Sequence, residues 1–171
     1  VAAWLKDGEM VLPKLGRMKL RDTQHLPTAM PKMVTLSRDS AGRYFVSFAV
    51  EQEIAQKPKT GRAVGIDMGV ASLATLSDGS RIENLRALDQ LDARLRFQQR
   101  RLSRKQKGSN RWHRQRRRVA VIHARIRDSR RDHLHKATPQ LVESQDVICV
   151  ASLHVKGMVR TRRLARSIHD A

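Results

Sequence analysis

The segment Val64-Gly65-Ile66-Asp67-Met68-Gly69-Val70 constrains this chain more than any other. It is a short apolar run with internal glycines and a single carboxylate. Ala71 to Ser77 forms a second apolar run, after which Asp78-Gly79 turns the chain into Ser80 to Asn84. An Asp-Gly step between apolar runs is a strong hairpin signal. A carboxylate inside a buried strand is costly unless it is paired or holds a metal. Asp67 therefore needs a partner, either a hydrogen bond from a nearby turn or a metal ion.

The hydrophobic period changes at Leu85. Leu88, Leu91, Leu95 and Leu102 follow at spacings of 3, 4 and 7, with Gln98 in the vacant position. This predicts a long helix with a narrow apolar seam. Lys107-Gly108-Ser109-Asn110 breaks it, with Gly108 suited to the end of one helix and Ser109 or Asn110 to the cap of the next. Val119, Ile122, Ile126, His133 and Ala137 then share a stripe, and the two seams predict an antiparallel helical hairpin over residues 85–137. Thr138-Pro139 reads as a fresh cap and first position, starting a short separate turn. Asp146 to Ser152 (DVICVAS) predicts a buried strand parallel to an earlier one, since a long helical segment precedes it.

Upstream, Met33 to Ser37 and Arg43 to Val50 flank the turn composition Arg38 to Gly42. Tyr44, Val46, Phe48 and Val50 alternate with Phe45, Ser47 and Ala49 at strand period. Met10 to Leu20 predicts one or two more short strands around Pro13 and Gly16. Several short strands joined by short turns suggest part of a small barrel. Glu51 to Arg62, polar and containing Pro58 and Gly61, reads as a linker. The domain expectation is thus 1–60 and 61–171. In the second domain, an antiparallel three-strand unit, helices and a buried strand follow in the order of an RNase H-like α/β core. A first residue that is valine suggests that an upstream piece is missing.

Charge narrows the partners. The chain carries 35 Lys and Arg against 16 Asp and Glu, a net charge of +19 over 171 residues. Residues 86–131 hold seventeen basic and three acidic side chains, so this is not a mixed-sign solvated face. Such a field attracts polyanions, nucleic acid above all. The expected phosphate contacts are Arg100, Arg101, Arg104, Lys105, Lys107, Arg111, Arg114, Arg116, Arg117 and Arg118, with Lys156 at a strand end as a further one or as part of a plain polar turn. Trp112 either stacks on a base or covers the hairpin end. His113, His123, His133 and His135, spaced 10, 10 and 2, do not match helical ligand pairs. No apolar run reaches the roughly 18 residues of a membrane span. The lone cysteine, Cys149, reads as a small buried hydrophobe, and one cysteine permits neither an internal disulfide nor a four-cysteine zinc site. These features together suggest a reducing, cytoplasmic setting.

Two-metal phosphodiester cleavage needs several carboxylates converging on a pair of Mg²⁺ ions about 3.5–4 Å apart. In an RNase H-like core the first comes from the central strand, where Asp67 lies. The second comes from the end of the neighbouring parallel strand, where this chain has Val150-Ala151-Ser152. Glu143 and Asp146 lie at the other end of that strand.

Five stretches carry a family resemblance: Pro13 to Gly16 with Ser37 to Tyr44; Gly65 to Gly69; Gln99 to Lys105; Leu153 to Met158; and Arg163 to Ile168. In order and spacing they resemble the OrfB/TnpB accessory transposases of insertion sequences, relatives of the type V CRISPR effectors. The resemblance implies an RNA-guided DNA endonuclease with a wedge-like β-barrel gripping guide RNA and a RuvC-like (RNase H-like) nuclease domain using Mg²⁺. Asp67 matches the first catalytic aspartate. The family's second acid, a glutamate before the motif's Asp or Asn and Leu, falls on Ala151. The family's third aspartate and its zinc ribbon match nothing in the sequence. The expectation is a partial copy that binds DNA and guide RNA without cleaving, Asp67 being a vestige. Two alternatives remain: a piece of a working RNA-guided nuclease, or a ribosomal-type RNA-binding structural protein. The latter explains the charge but not the Gly-Ile-Asp strand at its distance from Leu153 to Met158.

Overall fold

A computed structural model of the chain describes residues 4–6, 8–22, 26, 27, 29, 31–53 and 58–170. Val1 and residues 54–57 of the expected linker lie outside the described residues. The chain divides into two compact units, Val1–Gln56 and Lys57–Ala171. It is a mixed α/β protein, with three sheets among the described residues.

In the first unit, β1 (Trp4–Lys6), β2 (Glu9–Leu12) and β3 (Gly16–Lys19) form an antiparallel meander, and β4 (Met33–Arg38) pairs antiparallel with β5 (Tyr44–Ala49). The turn between β4 and β5 is closed by Asp39, whose carboxylate accepts from the Arg43 backbone N–H and from Arg43 Nε, both at 2.8 Å. These bonds hold the Asp39 carboxyl below its ordinary pKa. Gly42 supplies the left-handed residue the turn requires, at φ 84°.

The second unit begins with β6 (Ala63–Met68), β7 (Ser72–Leu76) and β8 (Arg81–Glu83), an antiparallel meander. The Asp78-Gly79 turn forms as its composition predicts. Asp78 Oδ1 accepts from the Ser80 N–H and hydroxyl, and Gly79 adopts φ 86°. Helix α1 (Ala87–Ser103) and helix α2 (Asn110–Ser144) then form the hairpin, followed by β9 (Val147–Val150), α3 (Val155–Met158) and α4 (Arg162–Asp170). Strand β9 joins β6 in parallel, giving the order β8-β7-β6-β9. A long helical crossover between parallel neighbours is what parallel pairing demands.

The hairpin core follows the two seams. Ala87, Leu95, Ile122 and Ile126 are buried, with Leu85, Leu88, Leu91 and Val119 packed around them. Burial of a side chain such as Leu95 or Ile122 contributes about 1.5–3 kcal/mol. The vacant seam position is filled by a polar layer. Gln115, 2 % exposed, donates to the Gln98 side-chain oxygen at 2.6 Å and to its backbone carbonyl at 3.0 Å. Ser109 caps α2 by accepting from the Trp112 N–H at 3.1 Å, and Gly108 takes φ 85° in the connecting turn.

The structure departs from the sequence expectations in three places. First, α2 continues through Pro139 to Ser144 and starts no separate turn. The last turn is held in line because Leu141 packs on the sheet cluster of Val64, Ile66, Ala74 and Leu76. That contact offsets the hydrogen bond the proline cannot donate. Second, β9 is an exposed edge strand. Ile148 and Val150 lie in register with Val64 and Ile66, yet are 36 % and 59 % exposed. Leu141 packs against the cluster on β6 and β7, and Cys149 is exposed with its strand. Third, Lys156-Gly157-Met158 belongs to the short helix α3 and not to an open loop. The His154 ring lies against Gly157 so closely that no Cβ fits between them.

Two carboxylates fasten the ends of these elements. Asp146 accepts from the Thr60 and Gly61 N–H groups at 2.9 and 2.6 Å, tying the start of β9 to the approach to β6, and these bonds lower its pKa. Asp170, at the end of α4, reaches the N-terminus of α1. It accepts from the Leu88 and Asp89 N–H groups at 2.6 and 3.1 Å and pairs with Arg130 at 2.6 Å. Arg166 on the same helix bonds Asp89 and Asp92 at 2.7 and 3.2 Å.

Candidate functional site

Asp67 is the penultimate residue of β6 and is exposed. On one side it is in register with Thr75 of β7. On the other, Ile66 is in register with Val150, and the Ala151 N–H donates to the Ile66 carbonyl at 3.1 Å. Continuing that parallel register by one residue sets Ala151 beside Asp67, on the same side of the sheet at a strand spacing of about 4.8 Å. A methyl group therefore stands beside Asp67 at this position. Among the described residues, no three His, Cys, Asp or Glu side chains converge as metal ligands. Asp67, without two further ligands gathered around it among the described residues, does not fit a two-Mg²⁺ centre, which needs several.

The turn after Asp67 is tightly built. Gly69 donates to the Leu73 carbonyl at 3.2 Å, and Asn84 Nδ2 donates to the Val70 carbonyl at 2.9 Å. A Cβ on Gly69 would lie 2.9 Å from the Ser72 carbonyl oxygen, a backbone atom that would have to move. Gly69→Ala is expected to destabilise the chain by about 1–3 kcal/mol, as overpacking against a fixed neighbour does. Urea unfolding followed by circular dichroism reads this, and an unchanged midpoint would rule it out.

The basic residues singled out in the sequence gather at one end of the hairpin. Arg100, Arg101, Arg104, Lys105 and Lys107 lie at the end of α1 and in the turn, and Arg111, Arg114, Arg116, Arg117 and Arg118 lie in the first turns of α2. All are exposed except Lys105, which is half-buried. Residues 93–127 contain fourteen Arg and Lys and no Asp or Glu. Two of these cations rest on aromatic rings: Arg101 on Phe97 at 5.5 Å and Arg116 on Trp112 at 5.4 Å. Trp112 also meets His113 edge-on, with centroids 5.1 Å apart. Lys156 is exposed on α3. His133 Nε2 donates to the Glu83 carbonyl, 2.8 Å away, so it ties the hairpin to β8.

The structure adds residues that sequence reasoning passed over. A groove of about 510 Å³ on the hairpin is lined by Arg114, Arg117 and Arg118 together with Arg94, Gln98 and Arg125. Arg94 and Arg125 were outside the expected set, although Arg125 falls on the same helical stripe as Arg114 and Arg118. Asp170 was also missed. Its neighbours in sequence carry no signal for a role that depends on the distant start of α1.

No helix among the described residues is long and apolar enough to cross a membrane. The OrfB_IS605 family, described as "Probable transposase", matches residues 46–162. A Streptomyces pristinaespiralis protein named "Putative RNA-guided DNA endonuclease" is 43 % identical over 168 residues, covering 97 % of this chain and 42 % of the relative. The Escherichia coli K12 protein "Putative RNA-guided DNA endonuclease InsQ" is 36 % identical over 157 residues, 91 % of this chain and 39 % of that protein. A third relative, "Putative RNA-guided DNA endonuclease MT2953" of Mycobacterium tuberculosis, is 34 % identical over 122 residues, 65 % of this chain and 26 % of its own length. The chain thus spans about two fifths of the length of the first two relatives. With more than half its residues matched by the family, this chain belongs to the OrfB/TnpB transposases.

Proposed function

We propose that this chain binds nucleic acid through the phosphate backbone and, with the residues it carries, does not cleave it. The observation that supports binding most is the acid-free stretch 93–127, folded into an exposed two-helix hairpin. Arg96 and Arg127 pair with Asp92 and Asp128 at the borders of the stretch, and the net positive field of the fourteen cations attracts a polyanion. The partners are DNA and a guide RNA, in keeping with the names of the relatives. In the same reading, Lys57–Ala171 is part of a RuvC-like, RNase H-like domain with the hairpin inserted, and Val1–Gln56 is part of a wedge-like barrel. The order β8-β7-β6-β9, with a parallel β6–β9 pair after a helical crossover, supports the first assignment.

Asp67 is the position of the first metal-binding acid, and Ala151 the position of the second. With a methyl there, Mg²⁺ would find one carboxylate where it needs several, so cleavage is lost. The test is binding of a labelled 20-nucleotide strand across 50–200 mM salt. Affinity is expected to fall at least a hundredfold, because each neutralised phosphate releases counterions. A flat salt response would refute phosphate binding. In the same tubes, Mg²⁺ should yield no cleavage, and Asp67→Ala should change nothing. Cleavage that Asp67→Ala abolishes would favour the second reading, that this chain is part of a working RNA-guided nuclease. The 43 % identity to a relative of that name is what supports the second reading.

A further inference from the structure

We infer that the hairpin's cations are not equivalent, and that a single sugar-phosphate strand runs along the groove between α1 and α2. This rests on the phosphate-binding reading above and deepens it. The groove arginines form a pattern. Arg114, Arg117, Arg118 and Arg125 fall at spacings of 3, 1 and 7, one stripe of α2, and Arg94 faces them from α1. From Arg114 to Arg125 is about 16 Å at 1.5 Å per residue, long enough to follow several consecutive phosphates of one strand. Val121, half-buried, lines the same groove between the guanidinium groups, so the concavity has apolar surface to receive sugars while the rims hold charge.

The remaining cations differ in setting. Arg101 and Arg116 lie over the faces of Phe97 and Trp112 and do not line the groove. Arg100, Arg104 and Lys107 lie at or beyond the end of α1 and do not line the groove. A diffuse field would use all of these alike. A track uses the five that converge, including Arg94 and Arg125.

The experiment removes equal charge from two places in the 171-residue chain. One variant carries Arg94→Gln, Arg118→Gln and Arg125→Gln, the other Arg100→Gln, Arg104→Gln and Lys107→Gln. All six side chains are exposed, so both variants should fold, which circular dichroism checks. Each is titrated with a mixed-sequence 20-nucleotide RNA and with its DNA counterpart at 50–200 mM salt. The groove variant is expected to lose at least tenfold in affinity, and its slope of log K against log salt should shrink by about 2, near 0.7 for each single-strand contact. The other variant should change its slope by less than 1. Loss for both polymers, or for one alone, supports the track and identifies the strand it carries. Equal losses in the two variants would overturn it while leaving phosphate binding intact. A flat salt response in the parent chain would instead refute the reading on which it rests. Should the groove variant not fold, Arg118→Gln alone replaces it, with an expected slope change of about 0.7 against a smaller one for Arg104→Gln; equal changes overturn the track.

Discussion

Asp170→Ala is expected to lower the free energy of unfolding by about 2–3 kcal/mol at neutral pH, since it leaves a partly buried guanidinium without its counter-charge and two helix N–H groups without an acceptor. The residue is 4 % exposed, and Arg130 keeps 29 % of its side-chain surface, which places the loss below that of a fully buried pair. The siting of Asp170 looks wrong for its own helix. A carboxylate at the C-terminus of α4 opposes that helix's dipole. It is right for α1, whose first N–H groups point at it and whose preceding residue, Arg86, offers no side-chain cap. The two helix ends thus share one anion.

The same prediction has a pH signature. Burial alone would raise the Asp170 pKa, but the Arg130 bond and the Leu88 and Asp89 N–H groups together outweigh it and bring the carboxyl below its ordinary value. A depressed carboxyl contributes stability that is fully present above its unfolded pKa and is lost as pH falls through its folded one. The difference between the parent chain and Asp170→Ala should therefore hold steady from pH 7 to about 5 and shrink below about pH 4. Asp39, Asp78 and Asp146 are also depressed, and subtraction of the variant's curve removes their share. Urea unfolding at pH 7, 5 and 3 checks this. A difference below 1 kcal/mol at pH 7, or one that persists unchanged at pH 3, would contradict the shared-anion role.

Ala151→Glu is the second large change. Parallel register sets the new carboxylate beside Asp67, a strand spacing away. Two like charges about 5 Å apart repel by roughly 1–3 kcal/mol near a protein surface. A divalent cation relieves that repulsion, so Mn²⁺ or Mg²⁺ should bind at least tenfold more tightly than to the parent chain. Isothermal titration reads it. Adding Asp67→Asn should abolish the gain, and Ala151→Gln should never show it. If the double variant bound metal as well as the single one, Asp67 and residue 151 would not form a pair.

The sheet strands and the hairpin were legible because both rest on local sequence pattern. The apolar runs of Ala63–Met68 and Ser72–Leu76, the Asp78-Gly79 turn, and the heptad-like leucines of α1 each specify their element with little outside help. What escaped the sequence depends on which element arrives from far away. The apolar run of β9 reads as buried, but burial requires a cover, and its composition cannot say that Leu141 packs over β6 and β7 instead. Pro139 reads as a helix start because its ring signals the same at a first position and in an interior turn that packing holds straight. The Asp67–Ala151 adjacency was legible from motif and order together. Arg125 could have been found by extending the stripe of Arg114 and Arg118. Gln115 could have been found by stepping back one turn from Val119, to the position facing Gln98.

The Gln98–Gln115 layer has a consequence for recognition as well as for packing. Leucines at both positions would bury more apolar surface, but they would tolerate α2 sliding along α1. A single buried polar contact has one good alignment, and a slip of one helical turn, about 5.4 Å, would leave both amides unpaired in the seam. Such a slip would also carry Arg114, Arg118 and Arg125 past Arg94 by nearly the distance between neighbouring phosphates. The amide pair therefore acts as a vernier, fixing the phase in which one helix's charges are read against the other's.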